Sequence, residues 1–478
     1  MTAIAVTTSA RIKRLEFLLL CILLMVLPIL EAPKNIALAL FILIRVARAF
    51  AERSSSFRRP EPVEWAVWGL VLAAAASTVV NWPFANADKG LKDVLSYSIV
   101  FLIVYRERYT PAQKYLLIAM SVAGVMVGLI WGIVEIMEGK RAMLELHSVG
   151  IVTHSSIYLG VAVVMALGMA LFAGDETHDR DRDRRVHERR YWWAILSFFL
   201  LGIFAMASRG GLLATGVALL LALWLIRRKE LWLAMSLLVT VCAAAVWALP
   251  DFFNQARIAP RVAEMVFEQK LNYNDVVRFS NWRVGFAQVS QGGSLLFGVG
   301  PRNFSGIDLS KLRFDRPLDL AGNKLTHAHN LFLNKLVEEG IFGLAAMLTF
   351  FAFVASALLR DWRADRWKNW PWLTCMGALI VPVVSGTFDT PWYNEHALLA
   401  MIIFAMYLSS RKTTPISDEP HRLRATEHPS RVRDFEYQER DEYKQPPLGG
   451  QADRDERREA LNHGQGIVKK RHRPVAIP

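Results

Sequence analysis

The stretch "KYLLIAMSVAGVMVGLIWGIVEIM", residues 114–137, runs from Lys114 to Glu135 without a charge in between. Twenty uncharged residues at a rise of about 1.5 Å each make a helix about 30 Å long, the thickness of bilayer hydrocarbon. Similar blocks recur at 15–31, 34–51, 64–82, 91–105, 151–173, 191–207, 211–226, 231–249, 340–359, 371–388 and 393–410. They predict an all-α integral membrane protein of about twelve transmembrane helices. Of the 478 residues 53% are hydrophobic and mean hydropathy is positive, so the chain has enough apolar material for that many spans. The first block follows "RIKR" with no small-residue cleavage site behind it and reads as a retained span. Cys21, Cys242 and Cys375 all fall inside apolar blocks, far apart, which offers neither a disulfide framework nor metal spacing.

Lys and Arg favour the cytoplasmic ends of spans. With the N-terminus inside, the basic loops "RSSSFRRPEP", "RERYTPAQK", "DETHDRDRDRRVHERR", "RRKE" and "RDWRADRWK" all fall in the cytoplasm, and an even number of spans is required. These loops and the tail account for much of the net charge of +13, so the charge needs no nucleic-acid partner. Four regions follow: transmembrane helices 1–9 over 1–249, an exoplasmic loop domain over 250–339, helices 10–12 over 340–410, and a charged tail over 411–478. The loop domain is too long for an idle connection. The tail has too few large apolar residues to build a core and reads as disordered and cytoplasmic.

Arginines collect on the exoplasmic side, against the positive-inside trend. "MASRGG" (206–211) holds Arg209 between two helices; "NQARIAPRVAE" (254–264) supplies Arg257 and Arg261; "NDVVRFSNWRVGF" (274–286) supplies Arg278 and Arg283; "FGVGPRNF" (297–304) supplies Arg302. A guanidinium is always charged and presents a planar fork that matches phosphate oxygens in pairs. Gly210 and Gly211 would let backbone amides approach an anion at a helix N-terminus. The structural alternative is an arginine that snorkels to headgroups or pairs with an acid.

"THAHNLFLNKLVEEGIFGL" (326–344) carries His329 and Asn330. An imidazole there is suited to accept a hydroxyl proton near neutral pH. Alternatively it caps an amphipathic segment, 330–339, lying along the bilayer surface. Asp389, in the loop after the eleventh span, could orient a base or bind sugar. "GVGPRN" begins like a dinucleotide fingerprint but has Asn303 for the third glycine and no βαβ unit around it. "DRDRD" (179–183) is interleaved with arginine and reads as a solvated charge run.

His329-Asn330, nine residues, Gly340, two residues and Gly343 resemble the H-[NSQ]-x9-G-x-x-G pattern of the O-antigen ligase family, within the superfamily of O-antigen ligases, polymerases and bacterial protein O-oligosaccharyltransferases. "SRGG" is similar to its Ser-Arg-Gly element, and "RFSNWRVGF…FGVGPRNF" to its Arg…Trp segment followed by Gly-x-Gly-x-x-Asn-Phe. The likeness covers roughly 190–400; Leu344-Ala345 replace the threonines that follow the second glycine in some ligases. The resemblance implies a GT-C-type glycosyltransferase of the bacterial inner membrane with a periplasmic active site, inverting, with no metal and no cofactor. Its donor would be O-antigen on undecaprenyl diphosphate and its acceptor a sugar hydroxyl of lipid A-core. Carried over, Arg209, Arg278 and His329 are the essential residues; Arg257, Arg261, Arg283, Arg302, Asn330 and Asp389 are candidate substrate contacts. Alternatives are an O-antigen polymerase, a protein O-oligosaccharyltransferase and, from another class, a lipid-linked glycan flippase. A flippase should place ionisable residues at mid-bilayer.

Overall fold

The computed structural model describes residues 2–51, 59–83, 86–172, 182–206, 208–226, 273–318, 320, 325–392 and 394–411, with isolated positions between 229 and 240. Every regular element among them is helical: α1 (Thr2–Val26), α2 (Glu31–Ala51), α3 (Pro62–Val80), α4 (Ala87–Arg106), α5 (Pro111–Met137), α6 (Val152–Phe172), α7 (Arg182–Met206), α8 (Arg209–Ile226), α9 (Tyr273–Gln291), α10 (Leu331–Arg363), α11 (Trp370–Ser385) and α12 (Asn394–Ser410). Five of these, α3, α5, α6, α8 and α10, are long and apolar enough to cross a membrane. The expected span at 231–249 and the charged tail fall almost wholly outside the described residues. The other expected spans each coincide with a helix.

Local chemistry starts these helices where polar sequence gives way to apolar. At α5 the Thr110 hydroxyl accepts from the Gln113 amide (3.2 Å), the Gln113 side chain accepts from the Thr110 amide (2.9 Å), and Pro111 takes the first helical position. Glu61 and Glu64 form the equivalent box at α3. The outer surface carries large apolar side chains, Leu72, Val79, Leu220 and Phe50 among them, as a lipid-facing surface requires.

The almost wholly buried α6 packs against α7, α8 and α11, while α12 packs on α4 and α10 on α3. Small residues allow the closest approach: a Cβ on Gly211 of α8 would meet the Ser156 Oγ of α6 at 2.2 Å, and one on Gly160 the Thr215 Oγ1.

Basic side chains near the two ends of α2 are paired with acids. Arg48 donates to Glu16 (2.5 Å) and to Glu107 (2.7 Å) at one end. At the other, Lys34 pairs with Glu395 and reaches Ser148 Oγ (3.3 Å). Such buried charges are tolerable because each has an opposite partner.

The helix α10 is broken inside. Gly340 has φ 70 and ψ −168, so the carbonyls before it lose their partners one turn on. The segment after α9 fills that gap: Val299 N donates to Val337 O (2.9 Å) and Gly300 N to Glu338 O (2.9 Å), while Ile341 N donates to Leu295 O (2.8 Å). Any side chain at Gly340 would strike the Leu296 carbonyl, at 2.1 Å, and one at Gly298 the Glu338 carbonyl, at 2.3 Å. The glycines of "GVGPRN" therefore serve a backbone clasp around a kinked helix. The segment 331–339 does not lie on a bilayer surface as an amphipathic helix: Lys335, Glu338 and Glu339 are all buried, and Lys335 pairs with Glu339.

Candidate active site

Arg209 is the first residue of α8, and Ser208 caps it: its carbonyl accepts from Leu212 N (2.9 Å) and its hydroxyl from Gly211 N (3.4 Å). Gly211 is thus a packing glycine with its amide already engaged, whereas Gly210 faces open space. The exposed Arg209 guanidinium and the half-buried Arg278 of α9 line one cavity of about 320 Å³. Its remaining wall is apolar and aromatic: Leu213, Phe279, Trp282 and Phe388. Two fixed positive charges beside an apolar wall suit a ligand that is anionic at one end and greasy at the other.

His329 is linked to this cavity through two of its wall residues. The Trp282 indole donates to the His329 carbonyl (3.3 Å), and Phe388, in the cavity wall, adjoins Asp389. The His329 backbone has φ 48, outside the range a residue with a side chain normally adopts. Its neighbours are held firmly. Asn330, rather than His329, caps α10, with its side-chain oxygen accepting from Leu333 N (2.9 Å) and its amide nitrogen donating to Thr387 O (3.1 Å). Leu331 N donates to Gly386 O (2.7 Å) and Ala328 N to the Asn334 side chain (2.9 Å).

Asp389, only 3% exposed, is the hub of this end of the bundle. Its Oδ1 accepts from Thr390 N (2.8 Å) and lies 3.6 Å from His329 Nδ1, 3.7 Å from His327 Nε2 and 3.9 Å from His154 Nε2. At those distances the imidazoles act mainly through their charge and dipole. Burial alone would push the Asp389 carboxyl up, but the N–H groups of His327 and His329 and the neighbouring His154 outweigh it and hold it well below the usual carboxylate range. Burial pushes the His327 imidazole down, against the pull of Asp389, and the charge on Arg278 adds to the downward shift. His396 Nε2 donates to the His154 carbonyl (2.8 Å), which fixes α6 to α12 beside the hub.

His154, His327 and Asp389 offer two imidazole nitrogens and a carboxylate oxygen within 4.8 Å of one another, a donor set that also suits a transition-metal ion. The sequence drew no attention to His154, Trp282 or His327 as a group. The i, i+2 pair in "HAHN" was the available signal for His327 and the Arg…Trp segment that for Trp282; nothing local marks His154.

The other arginines separate. Arg283 donates both its terminal nitrogens to the carbonyls of Pro317 (3.1 Å) and Arg316 (2.6 Å), which ties the loop back to α9. Arg302 pairs with Asp93 (3.0 Å) and faces a second, water-sized cavity together with Lys335, Glu338 and Glu339. Arg257 and Arg261 lie outside the described residues.

The segment that carries Arg209, Arg278 and His329 also matches a known family: residues 194–348 fit the O-antigen ligase family model. Over that stretch the chain is similar to the O-antigen ligases. No curated protein matches the chain. The O-antigen ligase match takes in α8, α9 and the His329-to-Gly343 segment but stops short of Asp389 and begins after His154. Half of the histidine–aspartate hub is therefore contributed by helices and loops outside the matched domain. Together with five helices long and apolar enough to cross a membrane, the match supports a membrane protein similar to the O-antigen ligase family.

Proposed function

We propose that the protein ligates O-antigen from undecaprenyl diphosphate onto a sugar hydroxyl of lipid A-core in the bacterial inner membrane, with its site facing the periplasm. The observation that carries this reading is the single cavity that joins Arg209 and Arg278 to an apolar aromatic wall, with His329 tied to its rim through Trp282. A glycosyl diphosphate is already activated, so the reaction needs charge stabilisation and one proton acceptor.

His329 presents Nδ1 to Asp389, which leaves Nε2 for the acceptor hydroxyl. Nε2 takes the proton, the oxygen lone pair forms the new bond at the anomeric carbon, and the bond from that carbon to the diphosphate oxygen breaks on the opposite face. The configuration inverts. The departing electron pair rests on the diphosphate, where Arg209 and Arg278 hold the charge. Asp389 stabilises the imidazolium until the proton is released. No step is assigned to a metal ion.

Purified protein in nanodiscs, given a defined undecaprenyl-diphosphate-linked glycan and lipid A-core, tests this. Ligation that is insensitive to chelator supports it. Elongation of the lipid-linked glycan instead would make the protein a polymerase, and a rate abolished by chelator would reassign His154, His327 and Asp389 to a cation.

A further inference from the structure

Trp282 lies four residues after Arg278 on α9, so the two side chains leave the same face of the helix. Both line the large cavity. The Trp282 indole nitrogen crosses 47 residues of sequence to donate to a main-chain atom, the carbonyl of His329, at 3.3 Å. Such a contact does not depend on which nitrogen of the imidazole carries the proton.

The contact falls where the backbone needs it. At φ 48 His329 occupies the left-handed region, which a residue with a side chain keeps only when its surroundings hold it there. On the C-terminal side the holding contacts come from the 386–389 turn, through Asn330 to Thr387 and Leu331 to Gly386. Those contacts set His329 against Asp389. They say nothing about Arg278, which sits on a different element, and the Trp282 indole provides that second tie.

We infer that Trp282 is a positioning residue whose indole N–H fixes the spacing between Arg278 and His329 by holding the His329 carbonyl. The inference rests on the proposed transfer reaction, in which the leaving diphosphate and the incoming hydroxyl must be presented to one anomeric carbon at once. The competing role is simple lining: Trp282 stacks edge-to-face on Phe279 (centroids 5.4 Å apart, 82° between planes), and that stack could do no more than complete the apolar wall.

Two replacements separate the roles in the full-length protein in nanodiscs. Trp282→Phe keeps an aromatic ring and removes the donor; 3-benzothienylalanine at position 282 keeps the bicyclic shape and replaces N–H by sulfur. Both should lower kcat at least about tenfold, with the donor KM within about twofold of wild type and the melting temperature unchanged. Diethyl pyrocarbonate should modify His329 faster in both, read by mass spectrometry. An unchanged kcat in the benzothienyl protein overturns the inference, as does a raised KM with kcat intact or an unchanged His329 modification rate. His329→Ala is run alongside. If that variant still transfers glycan, the assignment of His329 as base fails instead, and the modification rate in the two Trp282 variants still reports whether Trp282 holds His329.

Discussion

Asp389 Oδ1 lies 3.6 Å from His329 Nδ1 although the two residues stand on opposite sides of α10 and α11 in the sequence. The kinked α10 and the proline-containing α11 return the chain to the same end of the bundle, and the 386–389 turn bonds directly to residues 330 and 331. The carboxylate is thereby fixed beside the His329 imidazole. A buried anion in that place keeps one ring nitrogen protonated and stabilises the charged imidazole formed during transfer.

Asp389→Asn should therefore lower kcat by about 10²-fold or more while the donor KM changes little, because the amide neither enforces the tautomer nor offsets the imidazolium charge. Steady-state transfer by the purified variant measures this. A kcat within about threefold of wild type would show that His329 works without the carboxylate.

The arginines should divide according to their contacts. Arg209→Lys and Arg278→Lys keep the charge but lose the planar fork, and each should lower transfer by about 10²-fold. Arg283→Ala removes only hydrogen bonds to the Pro317 and Arg316 carbonyls. It should leave kcat within about twofold and cost about 1 kcal/mol of stability. Parallel kinetics on the three variants would expose a misplaced donor site if Arg283 proved the most sensitive.

Gly340→Ala should destabilise the fold by about 3 kcal/mol or more, since a methyl group there meets the Leu296 carbonyl in a backbone conformation that suits glycine alone. Loss of monodisperse protein after detergent extraction, or a sharply lower melting temperature, is the expected result. A variant as stable as wild type would mean that the clasp between 295–300 and 337–341 is not tight.

Stability should rise with pH in the range just below 6.5. Burial, the leading cause, holds His327 below its ordinary value of 6.5, so the unfolded chain binds that proton more readily than the folded one. The resulting stability is fully present above 6.5 and is lost as pH falls toward the depressed folded value. Asp389 stays ionised throughout that window and adds no slope there; its contribution is lost only at much lower pH. Melting curves of His327→Gln should be flatter across the window than those of wild type, and an equal slope would place the titrating group elsewhere.

The sequence by itself marked where most of the described helices run, because apolar runs of bilayer length are local signals, but it gave no sign of α9. It also singled out Arg209, Arg278 and His329, since guanidinium and imidazole carry recognisable chemistry wherever they stand. What it could not supply was the sorting of those groups. Arg283 and Arg302 have the same side chain as Arg278, yet one binds carbonyls and the other an aspartate, and only the packing of α9 against the kinked α10 decides which faces the cavity. Likewise His154 and Asp389 are separated by five of the described helices and meet because α6 and α12 are fastened together beside them. Charge pairing and hydrogen bonding across such distances depend on how helices pack, and packing is a property of the assembled bundle that no short stretch of residues records.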